Sequence, residues 1–257
     1  MLAMFRCVLP ARIGHGHPIG EIDIDTPDFE IYAGAMTAIP SLAIHVGADL
    51  ATEGGVQRWP RSVAAADTVR RTAQICRSAG VAEQRTLGGA AATKAAVLAA
   101  LRDAAAGLTR DGLLVLTFSG RTVRGDGPIE TTRWCLFDAG LAMSELAAHL
   151  ARLPGTSRLV IITDTCHATA IARCLLGPQL AVVIASCRED QTMLERARSE
   201  FVVRLERLLC GEDCRCSLAD VRATLEADTP DCERPAVWTN VADWWPARAR
   251  AIFSNAA

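Results

Sequence analysis

Two stretches of this chain are apolar almost without interruption: Leu113-Leu114-Val115-Leu116-Thr117-Phe118 and Val160-Ile161-Ile162-Thr163. A strand buried on one face alternates apolar and polar residues. Runs this continuous are buried on both faces, the situation of strands inside a parallel sheet with helices on each side. The segments between them supply those helices. Residues 62–79 place Val63, Ala66, Val69, Ala73 and Cys76 at helical spacing, with Gly80 as the stop. Thr93 to Ala106 is alanine-rich behind a threonine suited to capping it. Further helices are expected at Ser144 to Leu153, ended by Pro154-Gly155, at 167–176, at Glu200 to Leu209 and, capped, at Ser217 to Ala227. Shorter strands fit Leu42 to Val46, Gln84 to Leu87, Trp134 to Phe137, Ala181 to Ala185 and, as an edge, Pro235 to Trp238. Parallel neighbours need crossovers covering both faces, so the expected fold is α/β, a three-layer sandwich around a mostly parallel sheet.

With 257 residues, half of them apolar, the chain can bury one large core. Residues 1–40 carry turn signals and no sustained period, suggesting an arm or pro-segment with a short strand or hairpin around Ile22 to Ile31. The main domain is expected over 41–240, with a tail over 241–257. Trp244, Trp245, Arg248 and Arg250 in that tail suit either docking to a partner or packing on the domain's own surface.

A net charge of −2 gives no field that would attract nucleic acid or an anionic membrane. No apolar run reaches the roughly 18 residues of a membrane span, and the start lacks the order of a signal peptide. A soluble, cytoplasmic protein without nucleic-acid or membrane partners is the expectation. Of ten cysteines, Cys76, Cys135, Cys174 and Cys187 sit in apolar runs and suit a core. Cys210, Cys214, Cys216 and Cys232 lack the paired C-x2-C spacing of zinc sites, so no metal or cofactor is assigned.

The chemistry is expected where the two apolar runs end. The first empties into Ser119-Gly120-Arg121-Thr122, the second into Asp164-Thr165-Cys166-His167-Ala168. A cysteine among small residues just past a parallel strand is held at the carboxyl edge of the sheet, where α/β proteins place their sites. Its alternative is one more buried thiol.

In order and spacing these motifs resemble the caspase-like cysteine peptidases, especially metacaspases and their bacterial relatives. There a strand ends in Ser-Gly-His-Gly and a later one in Asp-x-Cys-His-Ser-Gly. The resemblance covers roughly residues 41–240. Ala66-Asp67, Ser144-Glu145-Leu146, Ser186-Cys187-Arg188-Glu189-Asp190-Gln191-Thr192 and Ser199 to Leu209 fall in matching places. It implies a six-stranded caspase-like sheet, Cys166 as nucleophile and oxyanion donors around Gly120 and Cys166. A protein or peptide substrate or a regulatory partner protein would occupy the groove. Ser119 and Asp164 would line its primary pocket, with Asp190 or Glu189 contributing, and Asp164 would select Arg or Lys. Asp164 could equally cap the following helix. The acidic pair of calcium-dependent metacaspases is Met143-Ser144 here, so calcium is not expected.

The departure is Arg121, at the position of the family's histidine. A guanidinium stays charged and can favour a thiolate, but it neither accepts the thiol proton nor delivers one to a leaving amine. His167 matches a family histidine that is not the base, and His45 in the first strand is a remote substitute. Two readings follow. One is a cysteine endopeptidase cutting after Arg or Lys, impaired by Arg121; the other is a pseudopeptidase that binds without cleaving. A nucleotide-binding domain is disfavoured, because Val46-Gly47-Ala48-Asp49 supplies no phosphate loop.

Overall fold

The uninterrupted apolar runs become the centre of the sheet. A computed structural model describes residues 40–53, 56–57, 62–193, 198–211, 216–227, 229 and 233–253. Backbone contacts divide the chain into two units, Met1–Thr37 and Ala38–Ala257, and every described residue belongs to the second. The expected arm, with its hairpin near Ile22 to Ile31, lies outside the described residues.

In chain order the strands are β1 (Ser41–Gly47), β2 (Thr52–Glu53), β3 (Val56–Gln57), β4 (Glu83–Gly88), β5 (Leu113–Ser119), β6 (Arg121–Val123), β7 (Arg133–Cys135), β8 (Gly140–Ala142), β9 (Arg158–Asp164), β10 (Leu180–Ala185) and β11 (Ala236–Thr239). The α-helices are α1 (Ala65–Ser78), α2 (Lys94–Gly107), α3 (Met143–Leu150), α4 (Glu200–Cys210), α5 (Leu218–Glu226) and α6 (Ala249–Phe253). The main sheet has six strands in the order β11-β10-β9-β5-β1-β4. All neighbours are parallel except β10 and β11. The architecture is the expected α/β sandwich.

Side chains alternate across each strand, so a run buried on both faces feeds two cores. Leu114, Leu116 and Phe118 of β5 join Leu159 and Ile161 of β9 beneath α2 and α3. Leu113 and Val115 join Val160 and Ile162 on the opposite face, beneath α1, α4 and α5. The first core extends to Trp134 of β7, whose ring stacks on Phe118 with centroids 4.2 Å apart.

Several expectations need correction. Of residues 134–137, expected as one strand, only Trp134 and Cys135 are strand; they belong to β7, which begins at Arg133 and pairs with β6 and β8 in a separate three-stranded sheet. Helix α1 starts at Ala65, and Val63, expected on its apolar face, is 64% exposed. Its buried face carries Thr68 and Thr72 instead. The segment expected as a helix over 167–176 is a 3-10 stretch over Ala168–Cys174, entered through a left-handed residue, His167, that gives no side-chain cap. The domain also does not end at residue 240. Ala249, Ile252 and Phe253 are buried in the second core, and Trp244 and Trp245 pack against it. Backbone bonds from Leu218 N–H to Ala247 and from Ala249 N–H to Cys216 fasten this segment to the start of α5. Apolar surface on α6 finds cover there that a free tail would lack.

Candidate functional site

Ser119 and Asp164 are the last residues of two adjacent parallel strands and stand in register. The motifs that follow them therefore meet at one sheet edge. Past Ser119 the chain bends at Gly120 into β6. A Cβ at Gly120 would lie 2.8 Å from the Ala48 carbonyl oxygen, so only glycine allows this approach.

Cys166 is presented by a turn tied on both sides. On one side the Thr165 hydroxyl donates to the Gly120 carbonyl at 3.0 Å and lies 2.9 Å from the Thr122 hydroxyl. On the other, His167 N–H donates to the Gln191 carbonyl and its Nδ1–H to the Glu189 carbonyl at 2.7 Å. These bonds hold His167 at φ 52°, ψ 34°, a conformation L-residues seldom adopt without such support. The Thr163 hydroxyl closes the turn by donating to the Ala168 carbonyl.

The two strand ends open into a cavity of about 290 Å³. Ser119, Gly120 and Arg121 line it from one strand end and Asp164, Thr165 and Cys166 from the other. The half-buried Cys166 sulfur accepts the Met193 N–H at 3.3 Å. The N–H groups of Gly120 and Cys166 donate to no acceptor among the described residues.

Asp164 is 6% exposed. Its two oxygens accept the Thr68 hydroxyl at 2.8 Å and the Ser199 hydroxyl at 3.0 Å. Burial pushes its carboxyl above the ordinary aspartate range, and the two hydroxyl donors only partly oppose this. Asp164 does not cap the segment after it. It reaches across to Ser199, whose oxygen in turn caps α4 by accepting the Val202 N–H.

Other expected residues fall elsewhere. Asp190 is exposed and does not line the cavity. Glu189 is turned toward Thr169 and Arg173; burial would raise its carboxyl, but those two donors bring it down to about 2. His45 lies fully buried inside the sheet. Its Nδ1–H donates to the Thr117 hydroxyl at 3.0 Å, and its Nε2 accepts from the Gln84 amide nitrogen at 3.2 Å. Burial lowers it to about 4, so the ring is neutral, and it does not reach the cavity. No imidazole lines the cavity among the described residues.

Sequence reasoning missed Thr68, the structural use of Ser199 and a second buried carboxylate on the cavity wall, Glu233, 4% exposed. A pair of threonines four residues apart on an otherwise apolar helix face was the available signal for Thr68. The buried Glu233 left none. Cys214 and Cys232 lie outside the described residues. Cys210 contacts the Ser78 hydroxyl and Cys216 the Leu208 carbonyl, and no metal-ligating group of three or more forms among the described residues. Met143 is buried and opens α3 beside Ser144, without an acidic pair. Among the described residues no helix is long and apolar enough to cross a membrane.

No protein-family profile and no curated protein matches this sequence. Among solved structures it is similar to the crystal structure of protein GSU0716 from Geobacter sulfurreducens, at a TM-score of 0.69. The match covers 83% of this chain and 98% of that one, at 21% identity. At that identity the likeness is one of fold.

Proposed function

We propose that this chain is a caspase-like cysteine-peptidase scaffold whose cavity binds a peptide through an Arg or Lys side chain and turns over amides slowly or not at all. The observation that carries the reading is that one small cavity is lined by a thiol, Cys166, a buried carboxylate, Asp164, and a guanidinium, Arg121, with no imidazole among its described lining residues. Amide hydrolysis by a thiol needs a group that shuttles a proton to the departing amine, and a permanently charged guanidinium does not shuttle. The N–H groups of Gly120 and Cys166 suit an oxyanion, and Asp164 suits a basic side chain. Asp164 and the two N–H groups therefore support binding, in a cavity that Arg198, Arg204, Glu200 and Glu233 also line, whereas turnover lacks one component. This favours the pseudopeptidase over the intact endopeptidase.

The test is a pair of experiments on the full chain. Calorimetric titration should find a peptide with a central Arg bound at least about tenfold more tightly than the same peptide with Asp, a preference that Asp164→Asn removes. Arg121→His should create cleavage after Arg, and Cys166→Ala on that background should abolish it. If the unaltered chain cleaves Arg peptides as fast as the Arg121→His variant, the reading is wrong.

A further inference from the structure

Arg121 lines the cavity at the position where the resembled peptidases carry a histidine. In a peptide that runs through the site, the atom facing the Cys166 thiol and its neighbouring N–H groups is a neutral carbonyl oxygen. A neutral oxygen makes poor use of a fixed cation. A carboxylate makes full use of it, because two oxygens match the planar fork of a guanidinium and such charge-assisted pairs are about twice as strong as neutral hydrogen bonds. The N–H groups of Gly120 and Cys166, which donate to no acceptor among the described residues, belong to residues that line the same cavity. Asp164 lies on the neighbouring strand end and lines the same cavity, which thus presents groups of both charges, Arg198, Arg204, Glu200 and Glu233 among them. The cavity, about 290 Å³, is at the small end of ligand sites and suits one residue better than an extended run.

We propose that the ligand of this site is the carboxyl terminus of a peptide ending in arginine or lysine. Its terminal carboxylate is held by Arg121 and the Gly120 and Cys166 N–H groups, and its side chain by Asp164. This rests on the basic-side-chain reading given above and narrows it from any basic residue to a chain end. It also assigns Arg121 a positive role in recognition.

Three probes titrated into the full chain test it: acetyl-Gly-Gly-Arg as the free acid, the same peptide as its C-terminal amide, and acetyl-Gly-Gly-Gln as the free acid. The Arg acid should bind about tenfold or more tightly than either of the others. In Arg121→Gln the Arg acid and Arg amide should come within about twofold of each other. Equal binding of Arg acid and Arg amide by the unaltered chain overturns the chain-end proposal and leaves basic-side-chain recognition standing. Equal binding of the Arg and Gln acids, or no binding by either Arg peptide, overturns both.

Discussion

His45 and Asp164 are both buried ionisable side chains, and threonines one turn apart on α1 reach both of them. Thr68 donates to Asp164, and the Thr72 hydroxyl lies 3.3 Å from His45 Nδ1. Burial pushes both toward their neutral forms, raising the carboxyl and lowering the imidazole. They differ in what lies on the remaining side. Both ring nitrogens of His45 face protein partners, within a sheet that admits no ligand. Asp164 also has both oxygens engaged, but by hydroxyls alone, and it lines a cavity. A cation entering that cavity can compensate the charge that burial penalises; nothing can do so for His45. A buried ionisable group is thus a recognition element where it has an open side and a structural one where it is sealed.

The sealed member should show the larger effect, in stability against pH. His45 titrates at about 4 in the fold against 6.5 when free. As pH falls below 6.5 the unfolded chain takes the proton first, so stability is lost between 6.5 and about 4. At 1.36 kcal/mol per pH unit the loss approaches about 3 kcal/mol. Asp164 has the opposite sign: its raised carboxyl takes a proton in the fold first and returns some stability as pH falls. Urea unfolding of the parent and of His45→Gln at pH 7 and pH 4.5 isolates the first contribution. A variant that loses as much stability as the parent across this interval would show that His45 is not held neutral by burial.

The thiols sharpen the same contrast. Burial pushes Cys76 and Cys187 up to about 12 and Cys174 up to about 11, while Cys166 opens on the cavity. Iodoacetamide at pH 7.5, followed by peptide mass analysis, should label Cys166 at least roughly a hundredfold faster than those three. Cys187 is the critical comparison, because its S–H donates to the carbonyl of Thr165, the residue just before Cys166. Labelling of the two at similar rates would mean that the cavity does not set Cys166 apart.

The sheet was legible because its residues announce burial on both faces: β5 extends its apolar run by one residue, and β9 begins two residues before its run and ends one after it. Local capping chemistry was legible too, in Thr93 at the start of α2 and Ser217 at the start of α5. The meeting of Arg121 and Cys166 at one cavity follows from β5 and β9 being neighbours in the sheet, which the apolar runs by themselves do not fix. The groups that tune the site were not legible. Thr68 and Ser199 are polar residues distant in sequence from Asp164, and only the packing of α1 against the start of α4 brings both to it. The 3-10 turn after Cys166 was hidden for a similar reason, since His167 is held left-handed by carbonyls of the loop beyond β10.

The smallest expected effect compares the two threonines directly. Replacing Thr68 by Val removes a hydroxyl that donates to Asp164 at 2.8 Å while keeping the side chain's shape. The charged carboxylate loses one of its two donors, so the fold should lose about 1 kcal/mol near neutral pH, and the Asp164 carboxyl should rise further. That loss should shrink as pH falls through the raised value, because a protonated carboxyl needs the donor less. Binding of an Arg peptide, which requires the carboxylate charged, should weaken at a higher pH in Thr68→Val than in the parent. Thr72→Val should behave differently. Its hydroxyl also satisfies itself on the Thr68 and Val69 carbonyls, at 3.0 and 3.1 Å. His45 is neutral throughout the range above about 4, so the Thr72→Val cost should be smaller and flat from pH 5 to pH 8. Paired denaturation curves across that range measure both variants. A pH-dependent cost at Thr72 with a flat one at Thr68 would reverse the assignment of which buried group carries charge.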